Sequence, residues 1–169
     1  SQILGGLNDA LREQPGLWLC TALCVRLNGT EAVMASAGHP APLVVRDDGR
    51  VREIGLAGPI LGAWAAAGSV DRAVPIASDE TLIVFTDGVL DARGEQERFG
   101  LRRLKRVLSE HAGASPERLL SALEAELERF QAGPPADDTA ALALRPAGGE
   151  SVGTEPAHPA GEVRTLRMS

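Results

Sequence analysis

An α+β fold, with antiparallel sheets flanked by helices, follows from three features of the sequence. Residues 17–76 read as short strands joined by tight turns, without the strand–helix alternation of a parallel sheet. Residues 101–130 change to a helical period. A last apolar run, Asp138–Arg145, then closes the pattern as a strand.

The elements follow in order. Ile3, Leu4, Leu7 and Leu11 have helical spacing, and Pro15-Gly16 ends that helix. Leu17–Leu27 is an apolar run that predicts the first strand. Asn28-Gly29 is the strongest short hairpin signal in the chain, and Glu31–Ala37 returns as the second strand. Gly38-His39-Pro40 interrupts, Pro42–Arg46 extends again, and Asp47-Asp48-Gly49-Arg50 turns into Val51–Ile54, as in a β-meander. Gly55–Gly68 reads as loop. Val70, Arg72, Val74 and Ile76 alternate as a more exposed strand.

Leu82–Phe85 is a short, continuous run of β-formers, expected to be buried on both faces, and it delivers Asp87-Gly88 at its end. Beyond Asp91 the character is helical. Leu101, Leu104, Val107 and Leu108 form one stripe, and Leu119, Leu120, Leu123, Leu127 and Phe130 form another behind an N-cap at Ser115-Pro116. Gly133-Pro134-Pro135 stops the second helix. From Pro146 to Ser169 glycine, proline and charge dominate without periodicity, so a disordered tail or linker is expected after a domain spanning 1–145.

Composition narrows the function. With 169 residues, 44% of them hydrophobic, the chain has enough apolar material for a one-domain core. A net charge of −6 argues against a general binder of nucleic acid or anionic membrane. No apolar stretch approaches the roughly 20 residues that span a bilayer, and no secretory signal opens the chain, so a cytoplasmic protein is expected. Ser1 stands where a Met is usual and starts inside a helical pattern, which suggests a fragment of something longer. Cys20 and Cys24 are four apart on the expected strand, about 13 Å from each other and too far for a disulfide. Two reduced core thiols are expected.

The chemistry centres on carboxylates. A carboxylate fixed at the end of a rigid strand suits a hard cation or a general base, and Asp87 has that position. An isolated Asp-Gly is more often only a turn. A second acidic motif, Asp137-Asp138 at the mouth of the closing strand, lies fifty residues further on and strengthens the cation reading. Side chains alternate along a strand, so only one of this pair is expected to share a site with Asp87. His39, His111 and His158 have no metal-ligand spacing. Arg102, Arg103, Lys105 and Arg106 read as a solvated helix face. No phosphate-binding glycine loop and no Gly-x-Ser-x-Gly elbow occurs. Haloacid-dehalogenase phosphatases open on a similar motif, but their nucleophilic Asp corresponds here to Phe85, which is no nucleophile.

The ordered set Leu7-Asn8, Ala37-Gly38-His39-Pro40-Ala41-Pro42-Leu43, Gly58-Pro59-Ile60-Leu61-Gly62, Asp79–Ala92, Arg98-Phe99-Gly100 and Ala136-Asp137-Asp138-Thr139 resembles the PPM (PP2C-type) metal-dependent serine/threonine phosphatases, in the bacterial SpoIIE/RsbU-like branch. The resemblance implies an α/β/β/α sandwich, with antiparallel sheets packed face to face and helices outside. It implies that Asp87 and Asp137 ligate Mn²⁺ or Mg²⁺, two ions in a complete domain, with Gly88 and Asp138 supporting them from behind. It implies hydrolysis of phosphoserine or phosphothreonine by metal-activated water, a STAS-type anti-anti-sigma factor as the phosphorylated partner, and an upstream sensor domain. The family also carries further acidic motifs upstream of the position of Ser1, including the carboxylate that bridges both metals. Asp48-Gly49 sits in a hairpin turn and does not replace it. The chain therefore reads as the C-terminal two-thirds of such a domain, the alternative being a catalytically incomplete module that binds partners.

Overall fold

The computed structural model describes residues 1–65, 68–134, 137–146 and 161–168, the last stretch through its backbone only. In chain order the elements are α1 (Gln2–Glu13), β1 (Ala22–Asn28), β2 (Glu31–Ala37), β3 (Leu43–Arg46), β4 (Val51–Glu53), β5 (Arg72–Pro75), β6 (Glu80–Phe85), α2 (Asp87–Asp91), α3 (Gly100–Glu110), α4 (Pro116–Phe130), β7 (Thr139–Pro146) and β8 (Gly161–Met168). They divide into two units, Ser1–Ala41 with Gly55–Pro75, and Pro42–Ile54 with Ile76–Ser169. The expected class, α+β with antiparallel sheets and flanking helices, is what the chain forms.

The first unit holds an antiparallel sheet of order β1-β2-β5. Its hairpin turns at the predicted Asn28-Gly29, where Gly29 takes φ +58°, a left-handed conformation open to glycine. Leu4 of α1 is buried with Ala35, Ala37 and Leu61. The first strand is shorter than expected. Leu17, Trp18 and Leu19 are exposed, and Cys20 forms only an isolated bridge to Leu61 before β1 begins at Ala22. Both cysteines are free, but Cys20 is exposed and Cys24 half-buried, which corrects the expectation of two core thiols.

The second unit holds an antiparallel sheet of order β4-β3-β6-β7-β8. One face, through Leu43, Val45, Ile83, Phe85, Ala141 and Ala143, is buried against α3 and α4. Leu104, Val107 and Leu108 come from α3, and Leu119, Leu120, Leu123 and Leu127 from α4, as their periodicity predicts. Ser115 caps α4 by accepting the Arg118 N–H, with Pro116 in the first helical position. Phe99 meets Phe130 edge-on at 5.4 Å.

Three further expectations are corrected. The early strands do not form one meander: β2 pairs with β5, whereas β3 pairs with β6. The break falls at Gly38-His39-Pro40, where Gly38 takes φ +66° and two nearby prolines lack N–H donors. The helical character expected after Asp91 already starts at Asp87, in α2. Finally, part of the expected disordered tail is a strand: Gly161–Met168 pairs with β7 along its whole length. Pairing there satisfies the open edge of β7, and Val163, Thr165, Leu166 and Met168 are strand-compatible residues hidden by the polar average of the tail. Residues 147–160 and 169 of that tail lie outside the described residues. Among the described residues no helix is long and apolar enough to cross a membrane.

Candidate metal centre

β6 is the middle strand of its sheet, paired with β3 on one side and β7 on the other, and Thr81, Leu82, Ile83 and Phe85 are buried. This gives the strand end a fixed position. Its register with β7 sets Phe85 opposite Ala141, so Thr86 falls opposite Ala140. The Thr86 N–H donates to the Ala140 carbonyl at 2.9 Å, as a continued ladder requires. The Thr86 carbonyl instead accepts from Val89 N–H at 3.1 Å, because the chain is already turning into α2. The Thr86 hydroxyl then takes the place of that carbonyl. It accepts from Ala140 N–H at 2.9 Å and donates to the Asp138 carbonyl at 2.9 Å. A side chain thus completes the ladder while the backbone leaves it.

Gly88 makes the second contact of this joint. A Cβ on Gly88 would lie 2.5 Å from the Asp138 carbonyl oxygen and 3.2 Å from the Thr139 hydroxyl. Only a residue without a side chain lets the backbone of Asp138 rest there. Thr86 and Gly88, on either side of Asp87, therefore both touch the segment that carries Asp137 and Asp138. The structure brings the two predicted acidic motifs to one end of one sheet.

The three carboxylates are exposed, and among the described residues none of them makes an ion pair. Asp87 is the first helical residue of α2, where negative charge is favoured by the free N–H groups. Asp137 Oδ1 accepts from the Asp138 N–H at 2.8 Å, which orients the carboxylate and leaves its other oxygen open. Hard, un-neutralised oxygen donors fit a hard divalent cation. Among the described residues, however, no group of three or more His, Cys, Asp or Glu side chains gathers.

Strand alternation does not decide between Asp137 and Asp138. β7 begins at Thr139, so both acids precede the strand. The Asp138 N–H is engaged by its neighbour's carboxylate and its carbonyl by Thr86, which removes it from the ladder.

The remaining candidates lie elsewhere. Asp48 accepts from Arg50 N–H at 3.0 Å within its hairpin turn. His111 ends α3 with Nδ1 3.0 Å from the Val107 carbonyl, and His158 lies outside the described residues. His39 belongs to a turn of the first unit, where Gly38 N–H donates to the Gly58 carbonyl at 2.9 Å. Two of the quoted motifs therefore interlock there. Two structural roles went unassigned from the sequence, that of Thr86 in the second unit and that of Asn8 in the first. Asn8 is 1% exposed on α1, where it accepts from Gly62 N–H at 2.9 Å and donates to the Trp64 carbonyl at 3.1 Å. A polar residue between Leu4 and Leu11 on the buried stripe was the available signal for it.

Fold and strand-end motif together define a class, the PP2C-type phosphatase domains. The SiaA-PP2C domain of Pseudomonas aeruginosa matches with a TM-score of 0.73 and 27% identity, over 85% of this chain and 59% of that one. The RsbU and RsbW domains of a Mycobacterium tuberculosis protein match at 0.70 and 23%, over 84% and 40% of the two chains. The phosphatase domain of the cell fate determinant SpoIIE from Bacillus subtilis matches at 0.64 and 14%, over 90% and 69%. The chain thus spans less than two thirds of the first two of these structures. No curated protein sequence matches it. The sequence model of stage II sporulation protein E matches residues 1–147, and the chain belongs to the SpoIIE family.

Proposed function

We propose that this chain contributes Asp87 and Asp137 to the metal site of a protein serine/threonine phosphatase. The observation that carries the reading is the joint of Thr86 and Gly88 with Asp138, which sets two un-neutralised acidic motifs at one sheet end. Mn²⁺ or Mg²⁺ bound there would supply Lewis-acid polarisation and a nucleophilic water for hydrolysis of a phosphoester. Asp87 and Asp137 would hold it. Thr86 and Gly88 fix the spacing of the two segments, and Asp138 orients the Asp137 carboxylate through its N–H. The residue before Thr86 is Phe85, so the chain offers no nucleophile for a phosphoenzyme at that position.

The substrate we propose is a phosphoserine or phosphothreonine protein, in particular a STAS-type anti-anti-sigma factor in cytoplasmic sigma-factor control. Support comes from the likeness to RsbU and RsbW domains, which occur together in one solved structure. A second reading is a partner-binding module without turnover, favoured by the absence of a third clustered ligand among the described residues.

One experiment separates the two. The full-length protein is assayed on a phosphoserine peptide with Mn²⁺ and with chelator. Metal-dependent release of phosphate, lost by orders of magnitude in Asp87→Asn and Asp137→Asn, supports the enzyme. No turnover in the parent under any metal condition supports the module.

A further inference from the structure

The C-terminal strand lies beyond the family match. The SpoIIE sequence model matches up to residue 147, whereas β8 runs over Gly161–Met168. It pairs antiparallel with β7 on every rung, from Pro146↔Gly161 to Thr139↔Met168. That last rung adjoins Asp138, so β8 ends where the candidate metal centre begins. Residues 147–160 join the two strands, where roughly two to five residues suffice for a usual hairpin. A longer connection costs more entropy to close, so β8 docks less firmly than the second strand of a tight hairpin.

The register also fixes which way each backbone group of β7 turns. Thr86 and Ala140 exchange hydrogen bonds between β6 and β7, the Thr86 hydroxyl standing in for its carbonyl. N–H and C=O groups alternate sides along an antiparallel strand, so those of Thr139, Ala141 and Ala143 turn toward β8. Their partners there are Met168, Leu166 and Arg164, and the N–H groups of Thr165 and Arg167 turn outward. With β8 docked, β7 is held on both edges. Without it, the Asp137-Asp138 segment is held among the described residues from one side, by the Thr86 hydroxyl and the close approach of Gly88.

We propose that Gly161–Met168 is a displaceable strap that holds the Asp137-Asp138 segment at the sheet end, and that its release loosens the candidate metal centre. The consequence for metal rests on the reading of Asp87 and Asp137 as ligands, whereas the hold itself rests on backbone pairing alone. An edge strand can open as a unit while the rest of a domain stays folded. Undocking turns β7 into an open edge, and the acidic segment that precedes it loses one of its two flanks.

The test is residue-resolved amide hydrogen exchange by NMR on the full chain, with two proline variants. Leu166→Pro removes a ladder N–H and should undock β8. Thr165→Pro removes an outward N–H, which an edge strand tolerates. In the parent, Ala141 N–H should exchange about tenfold or more faster than Ile83 N–H, which turns toward β3 in the middle of the sheet. In Leu166→Pro, Ala140 N–H, whose own acceptor is on Thr86, should exchange about tenfold or more faster than in the parent, while α3 and α4 keep their protection. Mn²⁺ affinity should fall by about tenfold, and Thr165→Pro should match the parent throughout. The proposal is overturned if Ala140 N–H keeps its protection in Leu166→Pro, if Thr165→Pro loosens it equally, or if Ala141 exchanges only as fast as Ile83 in the parent. Loss of protection throughout α3 and α4 also overturns it, because β8 is then integral to the fold and no strap. Exchange is read without metal, so a parent that binds no Mn²⁺ refutes the ligand reading and leaves the hold to the exchange result. A loosened segment with unchanged Mn²⁺ affinity refutes the strap's control of the centre.

Discussion

Replacing Gly88 by alanine tests the joint on which the candidate centre depends. Two effects of opposite sign compete. Gly88 lies in α2, outside the left-handed φ region, so alanine should gain about 0.8–1 kcal/mol of helix propensity. Against this, the new methyl would sit 2.5 Å from the Asp138 carbonyl oxygen and 3.0 Å from its carbon. These are backbone atoms, pinned by the Thr86 hydroxyl, so the strain cannot be relieved by a side-chain rotation. Overpacking of this kind costs about 1–3 kcal/mol, and a backbone obstacle places it toward the upper end. The net expectation is a loss of about 1–2 kcal/mol. Gly6→Ala in α1 is the control, because nothing lies within 4 Å of its added Cβ. It should stabilise by about 0.5–1 kcal/mol. Urea unfolding with unchanged slopes gives both values. If Gly88→Ala is neutral or stabilising like Gly6→Ala, the close approach of α2 to Asp138 is not a feature of the folded protein.

Thr86→Val should cost about 1–3 kcal/mol by stranding Ala140 N–H and the Asp138 carbonyl, while Thr86→Ser stays close to the parent; equal losses in the two variants would refute the hydroxyl's role. Asn8→Ala should destabilise by about 2 kcal/mol in urea unfolding, and a surface-like change below about 0.5 kcal/mol would count against the clamp on Gly62 and Trp64. The Glu97 carboxyl is held low by its hydrogen bond from Arg103, then by the charges of Arg103 and Arg102. A lowered folded pKa stabilises above the ordinary value of 4.5 and loses that contribution as pH falls through the folded value. Glu97→Gln should therefore lose less stability than the parent on acidification below 4.5, measured by thermal unfolding at each pH, and equal losses would contradict the pair. In the phosphatase assay Asp138→Asn should cost roughly ten- to a hundredfold at most; a larger loss than Asp137→Asn would reverse their proposed roles.

Local patterns carried most of the fold. The helical stripes of α3 and α4, the Ser115 cap and the Asn28-Gly29 turn each depend on residues within a few positions of one another, which a sequence displays directly. Sheet membership was less legible. That β2 joins β5 while β3 joins β6 is decided by pairings across many residues, and the composition of each strand suits either sheet. β8 was missed because a window of twenty-four residues averages a strand-forming stretch with glycine and proline. Leu17–Leu19 were overread for the converse reason. Apolar residues predict burial only where the chain has something to pack them on, and these three stay exposed.

The candidate site divides along the same line. Asp87 and Asp137 announce themselves as acids at strand ends, and nothing beyond residue type and position is needed to nominate them. What holds their segments together is a threonine hydroxyl and a glycine without a side chain, and each reads as ordinary until its partner is known. The hydroxyl answers a specific geometric problem. β6 must stop pairing at Thr86 for α2 to start, yet Ala140 N–H across the ladder still needs an acceptor. An acceptor on the side chain lets the Thr86 carbonyl serve the helix and the ladder remain complete. Valine has a similar shape and strand preference, and would leave that donor unpaired. The residue before Asp87 is thus constrained by hydrogen-bond accounting across the sheet, and strand propensity has little say in it.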